Sequence, residues 1–248
     1  MHNQRAMVIN TSSKSLNTIN IPTKIDFNGV EYYVTTISEY AFSWCNSLSS
    51  VIIPDGVISI GDSAFVGCGS LTTINLPDSV ATIARGAFQD CESLTSISIP
   101  NVVTSLEREA FYRCSSLISI TIPDSVTTIG ESAFQYCKSL TTITIPNSVT
   151  SIEFCAFSDC ESLSSINIPD SLMSIGYASF SRCSSLTSIT IPDSVTTIGG
   201  RAFAYCESLA DIRYNGTIEQ WRKIELGRDW NHEIPAIVVH CTDGDVEI

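Results

Sequence analysis

Basic residues are scarce in this 248-residue chain: 13 Lys and Arg stand against 26 Asp and Glu, for a formal net charge of −13. Nucleic-acid phosphates need clustered Lys or Arg, so no nucleic-acid partner is expected, and the plainer meaning of the acidic balance is solubility. Histidine is scarcer still. His2, His232 and His240 all lie outside the repeated phrases described below, so no Cys–His or Ser–His pair recurs along the chain. The phosphate-cradling patterns GxxxxGKS and GxGxxG are missing, and the acidic side chains come singly rather than as the paired carboxylates of a glycosidase. No apolar run reaches the length that spans a bilayer, so no membrane insertion is expected. The opening "MHNQRAMVINTSSKSLNTINIP" has no apolar core behind a basic leader and does not read as a signal peptide. The residues leave the compartment open: the chain stays inside the cell, or an export signal lies upstream. Neither enzymatic activity nor a cofactor or metal is expected.

What the chain has in abundance is repetition, which decides the fold before any local signal does. Phe42, Phe65, Phe88, Phe111, Phe134, Phe157, Phe180 and Phe203 recur every 23 residues. Three residues behind each comes a cysteine, Cys45 through Cys206, and three behind that a leucine, Leu48 through Leu209, always preceded by serine. The phrase is xxAFxxCxSLxxIxIPDSVxxIG. A ninth, partial copy lies upstream: Ser15, Leu16, Ile19, Ile21 and Pro22 fit its middle, and Val34 with Ile37 its end. The nine extra residues between the halves include Asn28 and Gly29, flanked by "KIDF" and "VEYYV", a strong short-range signal for a two-residue hairpin.

Each copy has a physical logic. In "LTTITIP" Leu140, Ile143 and Ile145 alternate with polar Thr142 and Thr144, the period of a strand with one buried face. Pro146 has no N–H to pair with the next copy and so ends the ladder. The Asp or Asn that follows in seven copies, as in Asp124 and Asn147, suits a turn in which its side chain holds nearby N–H groups. "VTTI" returns the chain on the outer side, and "ESAFQYC" is long enough for one or two helical turns. One 23-residue coil cannot bury its own Phe and Ile, whereas stacked coils about 4.8 Å apart can. At the far end Thr217 with Gln220 has the form of a capping box for a helix running to about Ile224, and Trp221 and Trp230 are large enough to roof the last coil.

The phrase "LTSITIPDSVTTIGGRAFAYCESL" resembles the BspA-type leucine-rich repeat, a 23-residue class that shares the AFxxC, LxxIxIP and VxxIG elements. The likeness covers about three quarters of the chain, and "FNGVEYYVTTISEYAF", "YNGTIEQWRKIELGRDWN" and "VVHCTDG" are similar to the opening and closing segments of the family. The resemblance implies an α/β leucine-rich-repeat solenoid. That is a right-handed superhelix with a parallel concave β-sheet of about nine strands, short outer strands or helical turns, an N-terminal hairpin cap and a C-terminal helical and strand cap. The expected divisions are residues 1–37 for the first cap, 38–214 for eight repeats and 215–248 for the closing cap. The resemblance also implies cell-surface or secreted proteins that bind host or neighbouring-cell macromolecules, without enzymatic activity.

Eight regularly spaced thiols admit a metal ladder, disulfides or a column of small buried side chains. Zinc sites want cysteines two to four residues apart, and stacked cysteines present parallel Cβ vectors that do not suit a disulfide, which favours the buried column. Cys155 and Cys241 break the pattern, and Cys155 reads as an exposed, reactive position. For a partner, the outward positions of the inner strands form two columns: Thr73, Ser96, Ser119, Thr142, Ser165 and Ser188, and Asn75, Ser98, Thr121, Thr144, Asn167 and Thr190. Such hydroxyls and amides can hold a protein or glycan ligand, although Ser and Thr are also ordinary solvated strand residues. Arg85, Arg108, Arg113 and Arg201 vary along the outer side and offer a second place for specificity. Asn10-Thr11-Ser12 and Asn215-Gly216-Thr217 fit the N-glycosylation pattern. His232 near Asp229 reads as part of the closing segment. Two function classes stay open, a monomeric non-catalytic adhesion module and a spacer within a larger surface protein.

Overall fold

The computed structural model describes residues 5–8 and 15–248; His2 and the Asn10-Thr11-Ser12 pattern lie outside the described residues. The chain winds into a parallel β-solenoid of about nine turns. Each coil contributes one strand from its LxxIxI segment and a shorter one from its VxxI segment; the inner strands do not form the single sheet of about nine that the sequence suggests but pair in four groups, Thr18–Asn20 with Ser50–Ile52, Thr73 to Thr121, Thr142 to Asn167, and Ser188 onward. Ser119–Thr121 lies parallel to Ser96–Ser98 with Ile120 beside Ile97, and Thr142–Thr144 lies beside Ser165–Asn167. The second column runs unbroken from Ser105–Leu106 to Glu225–Leu226 through six strands. Every pairing between repeats is offset by one 23-residue period, so like residues meet like.

A third ladder replaces the helical turns expected in "ESAFQYC". Among the described residues the one α-helix is Ile218–Trp221, shorter than the sequence suggests, with Thr217 and Gln220 forming the anticipated capping box. In the repeats every second N–H leaves its own coil: Phe134 donates to the Ala156 carbonyl at 2.8 Å, and Ser132 and Tyr136 to Phe154 and Ser158 at 2.9 Å. The alternate groups close i→i+3 turns, as in Ala133 to Gly130 and Cys137 to Phe134. Ser132 at φ 54° and Tyr136 at φ 62° reverse the backbone twist that a helix would have to continue. The α/β description is corrected accordingly, because the outer side is made of turns and short strands.

The proline column does end the ladder, and the last coil proves it by exception. Where the column should carry proline the chain has Asn215, whose N–H donates to the Ile191 carbonyl at 2.9 Å. The strands there lengthen to Ser188–Ile191 and Asp211–Tyr214. The turn that follows is closed by backbone, Val126 N–H to Pro123 carbonyl at 3.0 Å. Serine rather than aspartate does the side-chain work, contrary to expectation: Ser125 Oγ donates to the Val103 carbonyl of the preceding coil at 2.6 Å, and Ser171 to Val149 at 2.7 Å. The Asp and Asn side chains of this column are exposed.

Inside, the eight phenylalanines form one continuous file. Neighbouring rings from Phe42 to Phe203 lie 5.1–5.6 Å apart with planes within 13° of parallel, the offset stacking that aromatic quadrupoles favour. Leu, Cys and Val files beside them are fully buried through the middle of the array. Trp230 meets Phe203 edge-on at 6.2 Å and also contacts Trp221, which in turn packs on Tyr214. At the other end Asn28 and Gly29, both at positive φ, turn the hairpin that pairs Lys24–Phe27 with Val30–Ile37. Val30–Ile37 also takes Arg5–Val8 as a parallel neighbour, an extra rung that the repeat pattern does not announce.

Truncating one ring in mid-file removes two stacking partners and leaves a cavity. Phe134→Ala is expected to cost about 3–5 kcal/mol in urea unfolding; a midpoint equal to that of the parent protein would rule out the file as a source of stability.

Candidate interaction surface

Strand alternation, which buries Ile143 and Ile145, turns Thr142 and Thr144 outward. All twelve residues of the two outward columns are exposed. Thr73, Ser96 and Ser119 pair side by side, as do Thr142 with Ser165 and Thr144 with Asn167, while Asn75 lies across from Ile52. Through the repeats the face carries hydroxyls and amides without charge. It turns ionic where Ser188 and Thr190 meet Asp211 and Arg213, which pair with each other at 3.0 Å. His240 extends this end, hydrogen-bonded through Nδ1 to Asp245 at 2.8 Å. Among the described residues no three His, Cys, Asp or Glu side chains gather as a metal-binding set.

The outer arginines differ in environment. Arg85 and Arg108 are tied to Glu109, and Arg108 also to Glu131. Arg201 is exposed beside Tyr177, Arg228 and Asp229 in a shallow depression. Arg113 stacks over Tyr112 and Tyr136 at 5.3 and 5.4 Å. It belongs to a row missed in the sequence, the residue before each cysteine: Trp44, Gly67, Asp90, Arg113, Tyr136, Asp159, Arg182 and Tyr205. Its signal was available, since "DCESL", "RCSSL" and "YCKSL" return as "DCESL", "RCSSL" and "YCESL" three coils later. His232 continues the row, its carbonyl accepting from Tyr205 N–H at 2.8 Å and its ring standing edge-on to Tyr205 at 5.3 Å.

None of the ten cysteines is in a disulfide. From Cys68 to Cys206 those of the column donate through Sγ to a buried carbonyl one coil back, Cys114 to Phe88 and Cys137 to Phe111 at 3.2 Å. The same Phe88 carbonyl accepts the N–H of Cys91, so both of its lone pairs are used. Burial pushes the thiols of Cys91, Cys114, Cys137, Cys160 and Cys183 far up from their ordinary range. Cys155 is not the exposed, reactive position expected: it is 8% exposed, and burial pushes it up to about 11. Its side chain is small: at the same left-handed turn Ser132 and Ala178 are buried too, whereas the long side chains of Tyr40 and Arg201 reach out into solvent. Cys241 is half-buried and also pushed up by burial.

Stacked coils with two parallel strand columns and a turn ladder define a leucine-rich-repeat solenoid. The family model for the BspA type leucine rich repeat region matches residues 12–141 and 129–224; the chain belongs to this family, in which no catalytic activity is indicated. Among solved structures it is similar to a leucine-rich repeat protein from Bacteroides ovatus, with 30% identity over 89% of this chain and a TM-score of 0.72. The chain spans 64% of that protein's length. It is also similar to the T. pallidum leucine rich repeat protein, with 31% identity, 73% of this chain and 82% of that one covered, and a TM-score of 0.66. A comparison with curated proteins gives no match. Among the described residues no helix is long and apolar enough to cross a membrane.

The thiol column makes stability pH-dependent in a calculable direction. Thiols of the unfolded chain ionise near pH 8.5, while those of Cys91, Cys114, Cys137, Cys160 and Cys183 resist in the fold, so their contribution is complete below that pH and is lost as pH rises toward their folded values. The unfolding free energy is expected to fall above about pH 8.5, and Cys114→Ala to flatten that slope by about 1.4 kcal/mol per pH unit. Urea titrations at a series of alkaline pH values measure it; an unchanged slope would mean that Cys114 ionises as freely in the fold as outside it.

Proposed function

We propose that the chain is a non-catalytic binding and adhesion module that engages a protein or glycan through its Ser/Thr/Asn face. The observation that carries this is the pair of uncharged, exposed columns between Thr73 and Thr190, whose strands pair in register within Thr73–Thr121, within Thr142–Asn167 and from Ser188 onward. An extended ligand laid along them meets the same pair of polar groups at each step of about 4.8 Å. The strand face is the concave one in this reading, as the family resemblance implies.

In this reading the superhelix is right-handed, as the family resemblance implies. Residues 1–37 cap one end, 38–214 form the repeats and 215–248 close the other end. The closing role is supported by Trp221 and Trp230, 2% and 6% exposed, against the last ring of the file. The molecule works as a monomer at the cell surface or in secreted form, toward a macromolecule of a host or neighbouring cell. A spacer role within a larger surface protein is the reading left if no ligand exists.

Thr142→Lys with Thr144→Lys is expected to abolish binding to at least one member of a glycan and matrix-protein panel that the parent captures, without changing the melting temperature, because both side chains are exposed. Undiminished binding of every captured member by the double variant would reject this face.

A further inference from the structure

Beyond the Ser/Thr face, the turn edge of the coils carries a second recognition strip. We propose that it binds a neutral linear glycan through two equivalent Asp–Arg–Tyr triplets, Asp90–Arg113–Tyr136 and Asp159–Arg182–Tyr205.

The backbone in this row is left-handed in every coil, with φ between 55° and 70° from Trp44 to Tyr205. Glycine takes that conformation without penalty, whereas other residues pay for it. Yet only Gly67 uses the cheap solution, and Trp44, Arg113, Tyr136, Arg182 and Tyr205 are among the least suited. The left-handed turn calls for none of these bulky side chains, which leaves them free for a role outside the fold.

The side chains are also held in place. Arg113 lies 4.0 Å from Asp90 and over Tyr136, and Arg182 lies over Tyr205 at 5.0 Å. Ser158 and Gln89 hydrogen-bond the two aspartates. At the head of the row the Trp44 ring packs against Gly67, where it occupies the space a Cβ would need, and it is 59% exposed.

Three depressions follow one another along this edge. One of 390 Å³ lies between Trp44 and Arg113, one of 300 Å³ reaches from Glu92 to Lys138, and one of 230 Å³ reaches from Asp159 to Glu207. The first two share Glu92 and Arg113. The triplets are three coils apart, each coil a step of 5.3–5.4 Å in the adjacent phenylalanine file, so a ligand with its own translational repeat meets the same chemistry twice.

Several features select the ligand. Backbone N–H groups here already bond the next coil, as Tyr136 does to Ser158, which leaves no open strand edge for a peptide to extend. The carboxylates of Asp90, Glu92, Asp159, Glu161 and Glu207 repel uronic and sialic acids. Donors and acceptors interleave beside aromatic rings, which suits hydroxyls that both donate and accept and pyranose C–H faces that lie on a ring.

The test uses an array of neutral hexasaccharides of the cello-, xylo-, manno- and chito-series, followed by calorimetry. An oligogalacturonate and a lysine peptide serve as controls. At least one neutral series is expected to bind. Tyr136→Gly or Tyr205→Gly alone is expected to weaken it roughly tenfold, and the double variant to lose it beyond detection, since one triplet leaves only monovalent contact. The glycine variants relieve left-handed backbone, so their melting temperatures stay level or rise, which separates lost binding from lost folding. Thr142→Lys with Thr144→Lys leaves this binding intact. The strip is overturned if no neutral series binds, if only a control binds, or if the double glycine variant binds like the parent.

Discussion

Each coil of this molecule has to lie on a near-copy of itself, and that constraint governs the rest of the structure. It is enforced at the phenylalanine of every repeat. The Phe134 N–H reaches the Ala156 carbonyl, its ring stacks between Phe111 and Phe157, and its carbonyl receives the thiol of Cys160 at 3.2 Å. A change of length anywhere in the repeat would displace all three contacts at once. This explains why the 23-residue period never slips from Phe42 to Phe203.

The same constraint sorts the residues into two groups. Positions facing the interior have to repeat, and backbone groups in three ladders are already satisfied by neighbouring coils, which leaves side chains at two outward places to vary. The strand face uses its freedom sparingly and stays hydroxylic. The turn edge uses it fully, passing through Trp, Gly, Asp, Arg and Tyr in a row where the backbone favours none of the bulky ones. Family membership explains the scaffold, and these two outward surfaces carry what is particular to this chain.

Much of the fold was legible because stacking converts one-dimensional period into three-dimensional contact. Strand alternation in "LTTITIP", the ladder stop at Pro146, the hairpin at Asn28 and Gly29 and the capping box at Thr217 are each written in local chemistry. The turn ladder was not, for a physical reason. Ala133, Phe134 and Cys137 have the spacing of a buried helical face, and only the carbonyls of the following coil, invisible in a single copy, draw the N–H groups away from a helix. The burial of Cys155 is likewise invisible in one copy, because the turn covers a small side chain there, as it does Ser132 and Ala178, and lets a long one such as Tyr40 or Arg201 out. Of the surfaces, the strand columns followed from alternation. The turn-edge row required a comparison over three coils instead of one, and the extra rung at Arg5–Val8 carries no repeat signature at all.

Excising a coil tests this constraint most directly. Removing residues 118–140, one full period of 23, joins Leu117 to Thr141 and puts every surviving side chain back in its own file. That protein is expected to fold cooperatively, with the circular dichroism of the parent and a modestly lower melting temperature. Removing residues 118–139 instead shifts every later side chain by one place and is expected to leave the array unfolded or aggregated. Two deletions that melted alike would contradict the account.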